Sequence, residues 1–199
     1  LPLVRKTPDA NRQTKIKLFP EETLMRKAAI PILVLLLSAS LAHAVQVPDW
    51  IDYNSAEGRY TVSLPTQPKL STQESATADG QKFLQYMATA QEPTAVYLIG
   101  YFDHVAGTTF SADRARDGMV AAVKGTLVSE RTISVNGYPG RELKVGTSTE
   151  GTDYIILVKF YDTDSRVYVQ QVIFPKSFES EAMNAKAAKY FDSFQILKK

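Results

Sequence analysis

The feature that most limits how this chain can fold is a pair of apolar runs, residues 154–161 and 166–174, separated by Asp162-Thr163-Asp164-Ser165. β-Branched and aromatic residues dominate both runs and polar turn formers lie between them, which is the pattern of a β-hairpin. In the first run Tyr154, Ile156, Val158 and Phe160 fall on one face, and Ile155, Leu157, Lys159 and Tyr161 on the other. Both faces are largely apolar, which predicts a strand inside a sheet covered on both sides. The second run alternates more: Tyr168, Gln170, Val172 and Phe174 oppose Val167, Val169, Gln171 and Ile173. Just upstream, residues 133–135, an Asn136-Gly137 pair suited to positive φ, and residues 141–145 supply two more strands.

Other segments follow the same logic. Residues 45–56 form a lead-in carrying Trp50, read as a lid over one sheet edge, and Tyr53. Tyr60, Val62 and Leu64 alternate with Arg59, Thr61 and Ser63, a half-buried strand stopped by Pro65 and Pro68. Residues 71–80 are small and polar, a surface loop or short edge segment. Residues 81–88 read as a strand, with a helix as the alternative, and 95–102 as a further strand with Gly100 in it. A helix is predicted from Ser111 as N-cap, with Ala115, Met119, Ala122 and Val123 as its apolar stripe and Gly125 as C-cap. A second helix is capped by Ser177 or Ser180. It carries Met183, Ala187, Tyr190, Phe191 and Phe194 at helical spacing, with Lys186 and Lys189 facing out. Residues 195–197 read as a short terminal strand or tail. Two helices and a largely antiparallel sheet give an α+β class, with helices over both sheet faces.

The N-terminal part reads differently. Met25-Arg26-Lys27, an apolar run over residues 28–41 and the small-x-small triplet Ala42-His43-Ala44 match a secretory signal with cleavage after Ala44. That run is short for a membrane span of roughly 20 residues, so no stable span is expected after cleavage. Residues 1–24 read as a spurious or disordered extension, and 45–199 as a single domain in an exported, periplasmic or extracellular protein. The full chain has a formal charge of +2, but residues 45–199 hold 16 Lys and Arg against 18 Asp and Glu, a net charge of −2. The basic excess belongs to the N-terminal segments, so nucleic acid is not an expected partner. There is no cysteine, hence no disulfide.

Trp50 with Gly58-Arg59-Tyr60-Thr61-Val62-Ser63-Leu64-Pro65, then Asn136-Gly137-Tyr138-Pro139-Gly140-Arg141-Glu142-Leu143, the aromatic hairpin, and Lys189-Tyr190-Phe191-Asp192-Ser193-Phe194 together resemble the PsbP-like superfamily. The resemblance spans roughly residues 50–197 and is greatest to exported bacterial members. It implies an α/β/α sandwich. The family's plant member, an extrinsic subunit of photosystem II, has long loops and an N-terminal segment with no match here. A photosynthetic role and site residues are therefore not carried over.

Catalytic signatures are lacking: His104 is the one histidine after residue 44, no Gly-x-Ser-x-Gly elbow occurs, and Gly137-x-x-Gly140 has no lysine or helix after it. No catalytic residue and no cofactor is predicted. Asp103 and His104 at a strand end, with Asp162 and Asp164 in the hairpin turn, form a candidate metal set, although aspartates in such turns commonly bond their own backbone. Arg141 and Glu142 point to opposite faces, and Arg141 offers an anion site or a packing ion pair. Tyr53, Tyr138 and Tyr168 are candidates for an exposed binding rim. The leading functional reading is a non-enzymatic exported domain that binds an envelope protein or assists an envelope assembly. A small-molecule or metal-binding periplasmic module would require a concave site gathering Asp103, His104 and a hairpin aspartate. An enzyme would require convergent polar groups with perturbed pKa values.

Overall fold

The computed structural model describes residues 50–76 and 80–197. Residues 25–44, expected to be a secretory signal, and the extension before them lie outside the described residues. The described chain runs β1 (Ile51–Ser55), β2 (Tyr60–Leu64), β3 (Lys69–Ala76), β4 (Lys82–Glu92), β5 (Ala95–Asp103), α1 (Ala112–Ala122), β6 (Thr126–Val135), β7 (Tyr138–Thr149), β8 (Thr152–Asp162) and β9 (Arg166–Pro175). A 3-10 turn (Lys176–Phe178), α2 (Glu181–Asp192) and β10 (Gln195–Ile196) complete it. Seven strands make one antiparallel sheet in the order β3-β4-β5-β9-β8-β7-β6, and β1-β2-β10 make a second, three-stranded sheet.

β8 sits between β9 and β7, as its two apolar faces predict, and Val158 at its centre is buried. Asn136 and Gly137 both take positive φ, 50° and 85°, in the turn between β6 and β7. That tight turn lets β7 begin at Tyr138, three residues before the expected start at Arg141, so Pro139 and Gly140 belong to the strand. Gly140 is required there by space: a Cβ would lie 2.3 Å from the Phe160 carbonyl oxygen of β8.

One face of the large sheet is covered by the small sheet and α2 together. Tyr60, Val62 and Leu64 of β2 meet Tyr97, Ile99, Tyr101, Tyr168 and Phe174 there, with Met183, Ala187, Tyr190, Phe191 and Phe194 beside them. Ser180 caps α2 by accepting from the Met183 N–H at 3.2 Å. Hydrogen bonds pin the end of α2 to both sheets: the Ser63 N–H donates to Ser193 Oγ at 2.9 Å and the Tyr190 hydroxyl to the Leu98 carbonyl at 2.6 Å. Trp50 lies edge-on to Tyr97 at 5.3 Å, with the Lys189 ammonium 4.9 Å from its ring centre. Lys186 is not outward: it holds Glu92 at 2.9 Å. Tyr168 is buried, 2 % exposed, and its hydroxyl donates to the Gly58 carbonyl, so it is no part of a surface rim.

On the other face Leu143, Val145, Ile156, Val158 and Phe160 form a second, smaller core under Phe110, Ala115, Met119 and Val123. Ser111 caps α1, accepting from the Arg114 N–H at 3.3 Å. No residue of α1 is buried, and Ala122 of the expected stripe is exposed. Nor is Gly125 the left-handed cap: Lys124 takes that conformation, at φ 49°. Gly125 instead makes room for Val145, whose Cγ1 a Cβ would approach to 2.7 Å.

The expected α+β architecture, an α/β/α sandwich with helices over both faces, therefore does not form. Strands take 57 % of the described residues and helices 18 %, which makes the fold β-rich. A second sheet shares the covering of one side with α2, and α1 shields only β7–β8 and their neighbours on the other. Two further segments add to the strand content. Lys69–Ala76, without apolar alternation, pairs along its whole length with β4 through main-chain bonds, and the short Ile51–Ser55, with Ile51 and Tyr53 half-covered, pairs with β2. Among the described residues no helix is long and apolar enough to cross a membrane.

Candidate functional site

Strand register decides which of the singled-out side chains meet. Asp103 pairs with Arg166 across β5–β9, and Asp162 pairs with Val167 across β8–β9. Side chains alternate along a strand, so Asp103 shares a face with Tyr101, and Asp162 shares the opposite face with Phe160. The four candidate ligands consequently divide. Asp103 accepts from Arg166 Nε at 2.6 Å. Asp162 holds His104 Nε2 at 2.7 Å on the α1 side. Asp164, in the turn, accepts from the Tyr138 hydroxyl at 3.5 Å. Among the described residues no three His, Cys, Asp or Glu side chains gather as metal ligands.

The Asp103–Arg166 pair is structural in character. The Arg166 side chain is only 9 % exposed, Nη1 donates to the Glu57 carbonyl at 2.9 Å, and the guanidinium lies 4.1 Å from the Tyr101 ring centre. Burial works against its charge, but the bond to Asp103 more than offsets this and holds its pKa above the ordinary arginine value. One side chain thus joins the β1–β2 turn to the end of the large sheet.

The His104–Asp162 pair borders a cleft of about 250 Å³ lined by Phe110, Ala112, Thr132, Pro139, Gly140, Arg141, Phe160 and Asp162. Phe110, in the segment before α1, stacks on His104 and meets Phe160 edge-on at 6.0 Å. Arg141 reaches Asp113 of α1 at 3.4 Å and Glu130 of β6 at 3.3 Å. Arg116 binds the same two acids and Asp117. The packing-ion-pair reading of Arg141 is thus realised, with a guanidinium left at the cleft wall.

On the opposite face a second cleft of about 350 Å³ lies between α2 and β6–β8, lined among others by Arg131, Glu142, Lys144, Lys159 and Asn184. Arg131 grips Glu142 through two nitrogens at 2.9 and 2.7 Å, and Lys159 approaches it at 3.4 Å. Burial raises the Glu142 pKa, yet these two cations outweigh it and leave the group below the ordinary range. Arg141 and Glu142 do point to opposite faces, as strand alternation requires.

Of the first cleft's lining, the sequence singled out Arg141 and Asp162 and its reading passed over Phe110, Phe160 and Thr132 as site residues. They come from separate elements brought together by register. The local signal is Gly140, a residue without a side chain between two strands rich in large ones.

No family model matches the chain, and no curated protein matches it in sequence. Similarity appears among solved structures. A protein of unknown function from Pseudomonas aeruginosa, PA94, aligns over 70 % of this chain and 94 % of its own at 14 % identity and a TM-score of 0.39, too distant to support an argument. The solution structure of cyanobacterial PsbP (CyanoP) from Synechocystis aligns over 77 % of this chain and 95 % of its own, at 9 % identity and a TM-score of 0.53. At that identity the likeness concerns architecture alone, and the cysteine-free chain described here has a PsbP-like fold.

Proposed function

We propose that this protein is a non-catalytic exported domain that binds a protein partner of the cell envelope, and that the β3–β4 hairpin is its docking element. The observation that carries the reading is the state of β3. It is an edge strand in which every side chain is exposed except the half-covered Ser75. Leu70, 64 % exposed, and Leu84 of β4, 46 % exposed, lie on the same face of the hairpin. A free edge offers main-chain donors and acceptors to an extended segment of another chain, and flanking apolar side chains give such a segment its grip. Arg131, Arg141, Glu142 and Lys159 in the two clefts form ion pairs within the domain, an arrangement that supports a non-catalytic reading. Export rests on the basic-apolar-small pattern of residues 25–44.

The test is co-purification from the native envelope with the wild-type chain and with the Leu70→Lys/Leu84→Lys double variant. A protein retained by the wild type and lost by the variant, at unchanged melting temperature, is the expected result. Equal retention would remove the hairpin from the proposal, and no retained protein would remove the partner. N-terminal sequencing of the secreted product should begin near Val45; a mature terminus far from it would end the export reading.

A further inference from the structure

We propose that the cleft beneath the start of α1 binds a free amino acid with an apolar side chain, its carboxylate on Arg141 and its ammonium on Asp162. The site is separate from the β3–β4 hairpin, which lies toward the other edge of the sheet. Size comes first. A volume of about 250 Å³ is several times the ~30 Å³ share of one water and leaves room for a molecule the size of leucine. Apolar groups supply most of the wall: Phe110, Ala112 and Pro139, with Phe160 beneath.

The two charged lining residues have opposite signs and a suitable offset. Arg141 pairs directly with Phe160 across β7–β8, and Asp162 lies two residues further along the same face of β8. Such diagonal neighbours are about 7–8 Å apart at the backbone. The ammonium and carboxylate of an α-amino acid flank one carbon, and a hydrogen bond of about 2.8 Å on each side lets that close pair bridge two side chains rooted at this spacing. Both groups also have bonding capacity to spare. Arg141 touches Asp113 and Glu130 at 3.4 and 3.3 Å, longer than the roughly 2.7–2.9 Å of a strong charge-assisted bond. A guanidinium has five donors. Asp162 accepts from His104 through Oδ1, and a carboxylate has room for about four bonds.

Net charge selects between ligand classes. Asp113, Asp117 and Glu130 outnumber Arg116 and Arg141 in the network behind the cleft. A simple carboxylate would add to that surplus, and a simple cation would meet Arg141. A molecule carrying both charges adds none and matches each locally.

The test compares L-leucine, N-acetyl-leucine and leucinamide by saturation-transfer NMR with the whole protein. Leucine should bind, and each analogue, lacking one charge, should bind about tenfold more weakly. Arg141→Gln should erase the preference for leucine over leucinamide while keeping that over N-acetyl-leucine; Asp162→Asn should do the reverse. If either variant fails to fold, the analogue series on the wild type decides alone. Absence of leucine binding, or equal binding of all three compounds, overturns the proposal.

Discussion

Raising the pH past about 10 should unfold this domain through its tyrosines. Tyr101 and Tyr161 are each pushed up to about 12, by burial first and then by the nearby carboxylates of Glu57 and Glu142. Tyr60 and Tyr97 are held higher still and Tyr190 well above the ordinary value, again by burial above all. All five are at most 5 % exposed. In the unfolded chain a tyrosine ionises near pH 10. The folded values lie above this, so the stabilisation is whole below about pH 10 and is lost as the pH climbs through the folded values. At about pH 11 a tyrosine with a folded pKa of 12 favours unfolding by about 1.4 kcal/mol. Tyr60, Tyr97, Tyr101 and Tyr161 together amount to about 5 kcal/mol, against a total stability of roughly 5–15 kcal/mol for an ordinary domain, and Tyr190 acts in the same direction. Tyrosinate absorbance followed together with far-ultraviolet circular dichroism gives the readout. A cooperative loss of strand signal coincident with a late group of ionisations is expected between about pH 10.5 and 12. If all ten tyrosines ionise smoothly while the strand signal persists beyond that range, the buried-hydroxyl argument fails.

Two substitutions address the remaining supports. Phe191→Ala should lower stability by about 3–5 kcal/mol, through lost transfer energy and a cavity between α2 and the sheet, whereas Lys189→Ala should cost under about 1 kcal/mol; denaturant melts with equal small shifts would mean α2 rests loosely. Arg166→Met keeps an apolar stem near Tyr101 but breaks the bonds to Asp103 and the Glu57 carbonyl, and should cost about 2 kcal/mol. Asp103→Ala should cost less, because the Asp103 side chain is 62 % exposed; the opposite ranking in urea melts would refute the clamp.

What could be read from the sequence follows from where side chains determine structure. The β8–β9 hairpin, the Ser111 N-cap of α1 and the buried stripe of α2 were legible because apolar spacing and capping chemistry act locally, while the N-cap of α2 stood between two serines. β3 was read as a loop or short edge because its strand depends on pairing with β4, a matter of main-chain bonds. The helix-covered sandwich was overestimated for a related reason. β1 and β10 are five and two residues long, too short to signal that they and β2 build a covering sheet. The cleft was half legible. Arg141 stood out as an anion site or packing ion pair and Asp162 as a turn aspartate beside His104 in a candidate metal set, but His104 and Asp162 are 58 residues apart in sequence. Only the register of β5, β9 and β8 places Asp162 with His104 and turns Asp103 away from them.

The pairing of β10 with β2 has a consequence for the order of events in synthesis. Gln195 and Ile196 pair with Thr61 and Tyr60, and the Ser193 hydroxyl oxygen accepts from the Ser63 N–H across 130 residues of chain. Until that last stretch has been made, β2 lacks its second neighbour and the tyrosine core lacks the aromatic rings of α2. Growing chains therefore have no complete native state to fall into. Closing that long loop joins the earliest described strands to the latest. Its entropic cost falls due before the contacts reward it, which makes this pairing a late and slow event in folding.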